Sequence, residues 1–255
     1  METNTESHID VRKARSYARC IGTGLGMAAD HVGVVCRHTW PSILLSLLLP
    51  FPGIIVFMGQ LDRLLGEWRE LGYVPCRKPL EGWGKDARCT LRALASLALF
   101  TLVAIVVMGS AWVALQFAPH GKWVALGVTV VLAIALLPTT MAMMEIECST
   151  KPLASCMSGW ITGYRHYSSL FPYQLLLFML ILLVMFLGML PMGIISMASA
   201  KAWQATQAGD TILMPPTWPL TMIASYAICM LFTLATITIE AFCNMLFWGG
   251  IEARD

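Results

Sequence analysis

Apolar residues run in long blocks along this chain, and the polar ones are gathered between them. Four blocks, at about 92–117, 123–144, 170–200 and 218–248, could each cross a hydrocarbon core of about 30 Å as a helix. A fifth, about 39–60, is broken at its centre by Pro50, Pro52 and Gly53. Each proline there removes a backbone donor and clashes with the turn before it. Further upstream, Tyr17, Ile21, Leu25, Ala28, Val32 and Val35 recur at steps of four and three. That period predicts a helix over about 14–37 with one apolar face, Arg15, Arg19, Asp30 and Arg37 lying largely elsewhere. A basic amphipathic helix beside a membrane lies most simply in the interface. Residues 1–13 are small and polar and are expected to be disordered. The pattern predicts an all-α, polytopic helical membrane bundle in a single domain over 14–255. It has four full transmembrane helices, a re-entrant N-terminal segment broken by proline and glycine, and an interfacial amphipathic helix.

Charge decides how the fifth block is threaded. Of the 17 Lys and Arg residues, only Lys122 and Lys201 fall outside when the segment before residue 92 is placed inside and sides alternate from there. The positive-inside rule expects such a skew, with both termini cytoplasmic. If 39–60 crossed the membrane, the positive residues of 61–92 would face away from those of the N-terminal region. A re-entrant hairpin bent at 50–53 keeps them together. With arms of about seven residues it would reach about 10 Å into the membrane, and its open backbone would need cover from neighbouring helices. Trp40, Trp123, Trp218 and Trp248 stand at segment ends, where indoles favour the headgroup level. Pro191, with Gly188 and Gly193, should kink the third span.

Composition agrees with a membrane address. The chain is 57% hydrophobic and 13% charged, with mean hydropathy +0.69, against about a quarter charged for soluble domains. Residues 1–38 lack the early apolar core and cleavage site of a signal peptide. The eight cysteines form no C-x-x-C pair and show no His-Cys ligand spacing, so reduced, structural thiols are expected and neither a metal nor another cofactor is implied.

Candidate chemistry is sparse. Ser225, Cys229, Thr233, Thr236, Glu240 and Asn244 are spaced four, four, three, four and four, which puts a polar stripe on one face of the last span. Hydrogen bonding between helices is the common use of such groups. The sharper reading is a solute or proton path with Glu240 as its titrating member. A third is that Glu240 lies near enough to the inner interface to be solvated. Glu145 and Glu147 close the second span, point to different faces, and are expected to be solvated at the membrane edge. Arg165 and His166 sit in a basic, aromatic inner loop suited to lipid headgroups. The chain has no G-x-S-x-G elbow, no H-E-x-x-H and no P-loop. The basic region 61–92 is interspersed with Glu67, Glu70, Glu81 and Asp86, which favours an orienting role at the membrane over nucleic-acid binding.

The order of signals is itself informative. Pro50-Phe51-Pro52-Gly53 is followed by Arg63, Arg69 and Gly72-Tyr73, then by Pro79-Leu80-Glu81-Gly82-Trp83 and Leu137-Pro138. This order resembles an uncharacterised prokaryotic family of multi-pass membrane proteins. It is also distantly similar to the membrane domain of bacterial glycerophosphodiester phosphodiesterases, whose soluble catalytic domain has no counterpart here. The resemblance implies a prokaryotic cytoplasmic membrane and carries over no activity and no catalytic residue. The expected role is non-enzymatic and accessory, in envelope assembly or in lipid or solute handling. The bilayer is the expected partner, together with protein partners or a homo-oligomer. The alternative is a small transporter or permease subunit that uses the stripe around Glu240.

Overall fold

The computed structural model describes residues 15–71, 83–117, 121–148, 153–208 and 217–254. The expected disorder of 1–13, Cys76, and the motif residues 72–82 lie outside them. The described residues are helical throughout, apart from short turns. The chain opens with α1 (Tyr17–Asp30), α2 (Val32–Leu48) and α3 (Pro50–Leu71). Next come the long α4 (Trp83–Phe117) and a bent pair, α5 (Gly121–Leu136) and α6 (Thr139–Cys148). Two short helices, α7 (Leu153–Cys156) and α8 (Gly159–Arg165), lead into α9 (Tyr167–Gln207) and α10 (Trp218–Glu252). Three of these helices are long and apolar enough to cross a membrane, and a fourth span is present if α5 and α6 count as one.

The fourth span is not straight. Pro138 cannot donate to the carbonyl of Ile134, and α5 and α6 meet at 42°. Two tyrosines of the following segment serve the carbonyls at the break: Tyr167 donates to Ile134 O (3.2 Å) and Tyr164 to Ala135 O (3.0 Å). Neighbours commonly satisfy proline-freed backbone in this way within membranes. The expected interfacial stretch 145–169 is thus more than a surface loop. Gly159 and Gly163 bring α8 so close to α6 that an added Cβ would lie 3.0 Å from Ala142 Cα and from Pro138 Cα, respectively. Pro191 does not interrupt α9, which continues through it as one helix.

The N-terminal region departs from expectation in two ways. The helix foreseen over 14–37 breaks at His31, so 32–37 belong to the hairpin arm α2. Moreover, α1, expected to lie in the interface, packs on the protein through a side that shares only Ala28 with its predicted apolar face. Cys20, Gly24, Met27 and Ala28 are buried, while Tyr17, Leu25 and Val32 are exposed. Gly24 lies against the backbone of Cys243, because only a residue without a side chain fits there. α1 therefore packs lengthwise on α10 instead of resting alone on a surface.

α10 serves as a ruler for the hairpin. Arg254 donates to Arg15 O (2.6 Å), Cys243 Sγ meets Ile21 O (3.8 Å), and Tyr226 OH reaches Ser46 O (3.5 Å). Hence α1 and α2 climb α10 antiparallel to it over roughly 40 Å at 1.5 Å per residue. The chain reverses at Leu49, and α3 descends until Arg69 pairs with Glu252 and stacks 3.9 Å above Trp248. Both ends of the hairpin thus lie beside the C-terminal end of α10. At the tip, Gly53 touches the Ser46 backbone, where an added Cβ would come within 2.2 Å of its Cα. The chain does reverse beside the prolines, but the arms are far longer than seven residues, because α2 begins at Val32 and the polar residues after Leu61 continue α3 to Leu71.

The packed core sits at that same end. Phe242, Cys243, Met245 and Leu246 are at most 1 % exposed and meet Cys20, Met27, Leu61, Leu65, Met141 and Tyr173. Towards the other end, α4, α5 and α9 leave many large apolar side chains bare, as lipid-facing helices do.

Candidate functional site

The polar stripe of α10 divides on inspection. Ser225 and Thr236 are buried, while Cys229 and Thr233 are half-buried. The hydroxyls of Thr233 and Thr236 donate to their own helix, at Cys229 O (2.9 Å) and Phe232 O (2.8 Å). Thr238, off the stripe, does the same to Leu234 O and is equally buried. Among the described residues, Asn244 is the stripe member that shows the expected bond between helices, its Oδ1 accepting from Tyr173 OH of α9 at 2.8 Å. Glu240 stays exposed between these buried neighbours. On its two sides α9 and α6 both pack on α10 but not closely on each other.

The strongest concentration of chemistry lies at the level of Glu240 and draws on four helices. Its members are Asp62 of α3, Arg92 and Ser96 of α4, Glu147 of α6 and Glu240 itself. Glu147 Oε1 accepts from Ser96 Oγ at 2.7 Å. The charge of Glu147 lies close enough to act on Asp62, where Arg92 opposes it, and that of Glu240 close enough to act on Glu147. Arg92 also reaches Cys156 Sγ of α7 (3.7 Å).

Helical spacing explains the convergence. Asp62, Leu65, Gly66 and Arg69 fall on one face of α3 at steps of three, one and three. All four line a cavity of about 10 Å³, closed by Glu147, Cys148, Ala241 and Met245, which is the room one water needs. Asp62 Oδ2 and Arg69 Nε are buried and have no hydrogen-bond partner among the described residues. Burial, reinforced by the Glu147 charge, pushes the Asp62 carboxyl well above the ordinary aspartate range, while Arg92 pulls it down. Beside the cavity, Arg69 donates to Cys148 O (3.0 Å) and pairs with Glu252, so it ties α3 to α6 and α10.

Two further residues differ from expectation. Glu145 is not solvated: it is 7 % exposed and faces Gly159 of α8, where close packing shuts out water. Glu147, two residues on, turns towards α4, so the pair does diverge as its spacing requires. Arg165 is exposed and His166 half-buried at the turn between α8 and α9. Sequence reasoning missed Asp62, Arg69, Arg92 and Ser96, having counted the charged ones as orienting charges only. The signal was present: Asp62 and Arg69 are seven apart, and Arg92 and Ser96 four apart, so each pair shares a helix face.

Among the described residues no group of three His, Cys, Asp or Glu side chains could hold a metal ion, and the seven described cysteines are free. The chain matches no family model, no curated protein and no solved structure. The resemblance read from the order of its motifs thus acquires no relative, and what stands is a helical protein with three candidate membrane spans, or four with the bent pair.

Proposed function

We propose that this chain is a multi-pass integral membrane protein with a non-enzymatic, lipid-handling role, which it performs by holding a helical hairpin within the bilayer. The observation that carries this reading is the hairpin tip. Residues 39–61 contain no charge, and at the tip Leu48, Leu49 and Phe51 are 80%, 55% and 66% exposed with no polar side chain between them. Such a surface is costly in water and needs no partner in hydrocarbon.

Depth follows from the neighbouring helices. α4 is uncharged over 93–117, and α10 is uncharged until Glu240, which lies level with Glu147 and Ser96. That level is the inner edge of the apolar zone. From Glu240 to Tyr226, where Ser46 is met, α10 rises roughly 21 Å, about two thirds of the hydrocarbon core. The tip then ends within the outer leaflet and does not emerge. The positive-inside skew supports a cytoplasmic side for both hairpin ends and both termini.

A second reading, movement of a proton or solute, has the convergence of Asp62, Glu147 and Glu240 in its favour. Against a path along Ser225, Thr233, Thr236, Glu240 and Asn244 stands the return of two of its hydroxyls to their own helix. Arg165, exposed beside His166, remains suited to a headgroup contact.

The test is single-cysteine accessibility in a background without native thiols, at Gly84, Lys122 and Leu48. An impermeant maleimide on intact cells should label position 122 alone. A fluorophore at position 48 should be quenched by brominated acyl chains. Labelling of position 48 from water on either side would overturn the buried tip, and labelling of position 84 from outside would overturn the threading.

A further inference from the structure

Two carboxylates from different helices line the small cavity beside Arg69: Asp62 of α3 and Glu147 of α6. Asp62 Oδ2 and Arg69 Nε are both shut off from solvent, and neither meets a hydrogen-bonding group among the described residues. One is an acceptor and the other a donor, so the single water that fits here serves both. It accepts from Nε–H and donates to Oδ2. Its second O–H suits the Glu147 carboxylate, whose Oε1 already accepts from Ser96 Oγ (2.7 Å).

That arrangement meets every hydrogen bond but leaves two like charges facing each other across the width of one water. Each helix packed around the cavity adds a group of its own. On α3, Arg69 is shared with Glu252 of α10, and Arg63 turns to Glu67 and Asp86. On α4, Arg92 opposes the charge at Asp62, and the Cys89 thiol lies within reach of it. On α6, Cys148 lines the cavity and gives its carbonyl to Arg69 (3.0 Å). On α10, Glu240 adds a negative charge near Glu147. From α9, Tyr173 lies near Glu240, with its hydroxyl given to Asn244. Three carboxylates thus surround two guanidiniums, one of which also serves a fourth carboxylate. A proton on Asp62 removes one charge and loses no hydrogen bond, because its O–H then donates to the water.

The helix that brings Glu147 is also built to move. α6 joins α5 at Pro138, where the chain already lacks a backbone donor and bends by 42°. α8 is seated on α6 through Gly159 and Gly163, so the two can tilt together. We propose that Asp62 and Glu147 hold one exchangeable proton over a single water, and that this proton fastens α6 to the hairpin arm α3, so that the contact opens as pH rises. On opening, the O–H bond at Asp62 breaks, the proton passes to bulk water and both carboxylates become hydrated; no other bond is made or broken. The closed form binds one proton more than the open form, so rising pH favours opening. The device does not depend on how deep the hairpin tip lies.

The experiment is hydrogen exchange of the full chain in one detergent, read by mass spectrometry from about pH 5 to about pH 8. Each rate is corrected for the intrinsic pH dependence of amide exchange. Protection of 62–71 and of 139–148 should fall by about three- to tenfold per pH unit, the upper value being the release of one proton per opening. α1 is the reference, because it packs on Cys243, on the face of α10 opposite to Ala241 and Met245 of the cavity. Its protection should stay constant. Asp62→Asn and Glu147→Gln keep the shapes of the side chains, and each should abolish the slope. Flat protection in the parent would mean that Arg69 and Arg92 hold both carboxylates ionised, which overturns the proposal. A slope that persists in either variant overturns it too, as does loss of protection in α1 in step with α6, which is unfolding of the whole chain. If one variant fails to fold, the other variant and the parent's slope against α1 decide.

Discussion

At Asp62 two costs meet: a carboxylate oxygen closed off from solvent, and a second carboxylate, Glu147, within electrostatic reach. Both raise its pKa, so the folded chain keeps this proton over a range of pH where the unfolded chain has lost it. The folded state then binds more protons than the unfolded one, and stability falls as pH rises through that range. Arg92 opposes the shift without cancelling it. Asp62→Asn removes the titrating group while keeping its shape. In detergent its Tm should exceed the parent's at about pH 8, and the two should converge below about pH 3, where the aspartate is largely protonated in both states. A parent at least as stable as the variant at the higher pH would show that Arg69 and Arg92 hold Asp62 ionised. Because Glu147 titrates beside it, the transition measured belongs to the pair. Little of this was legible beforehand. A charge in a stretch such as 61–71 reads as a surface charge until one knows that its helix face is turned to α6 and α10.

Among the helices, the sequence was most informative where a single residue sets the local geometry. Pro50 and Pro52 announce the reversal that occurs at Leu49, and Pro138 announces the break between α5 and α6, although hydropathy alone runs straight across 123–144. His31 is harder to read. The period of four and three continues from Tyr17 to Val35 across a break that no proline marks, and only the fold shows α1 ending there with Gly24 set against Cys243 of α10. Glycines carry the same information in reverse. Gly53 and Gly59 allow α3 to touch backbone, at Ser46 and at Thr90, whereas an added Cβ at Gly66 meets nothing within 4 Å. Gly53→Ala should therefore cost about 1–3 kcal/mol, since backbone cannot move aside as a side-chain end can. Gly66→Ala, on the same helix, should be neutral or gain up to about 1 kcal/mol from helix propensity. Thermal unfolding of both variants in one detergent checks the pair. Equal effects would mean that the hairpin arms are not in close contact.

Taken whole, the molecule is unevenly packed along the membrane normal, and that unevenness is what its sequence conceals. Hydropathy ranks α9 and α10 as similar spans. Yet α10 is buried on nearly all sides from Phe242 to Ile251, while α9 exposes Leu183, Phe186 and Ile194. The difference arises because α1, α3, α6 and α9 all converge on the last turns of α10, bringing their apolar faces together where no lipid is needed to cover them. Removal of a side chain there leaves a cavity enclosed by protein. Removal of one from the outer part of α9 leaves a space that lipid or detergent can fill. Leu246→Ala, at a site 0 % exposed, should cost about 2–5 kcal/mol. Leu183→Ala, at a site 58% exposed, should stay within about 0.5 kcal/mol of the parent. The comparison should be made by thermal unfolding and by hydrogen exchange, in which the C-terminal turns of α10 are expected to be the slowest amides to exchange. If the two substitutions cost the same, or if exchange is slowest near Leu183, the stable core of this protein lies in the membrane and the packed inner end does not hold it together.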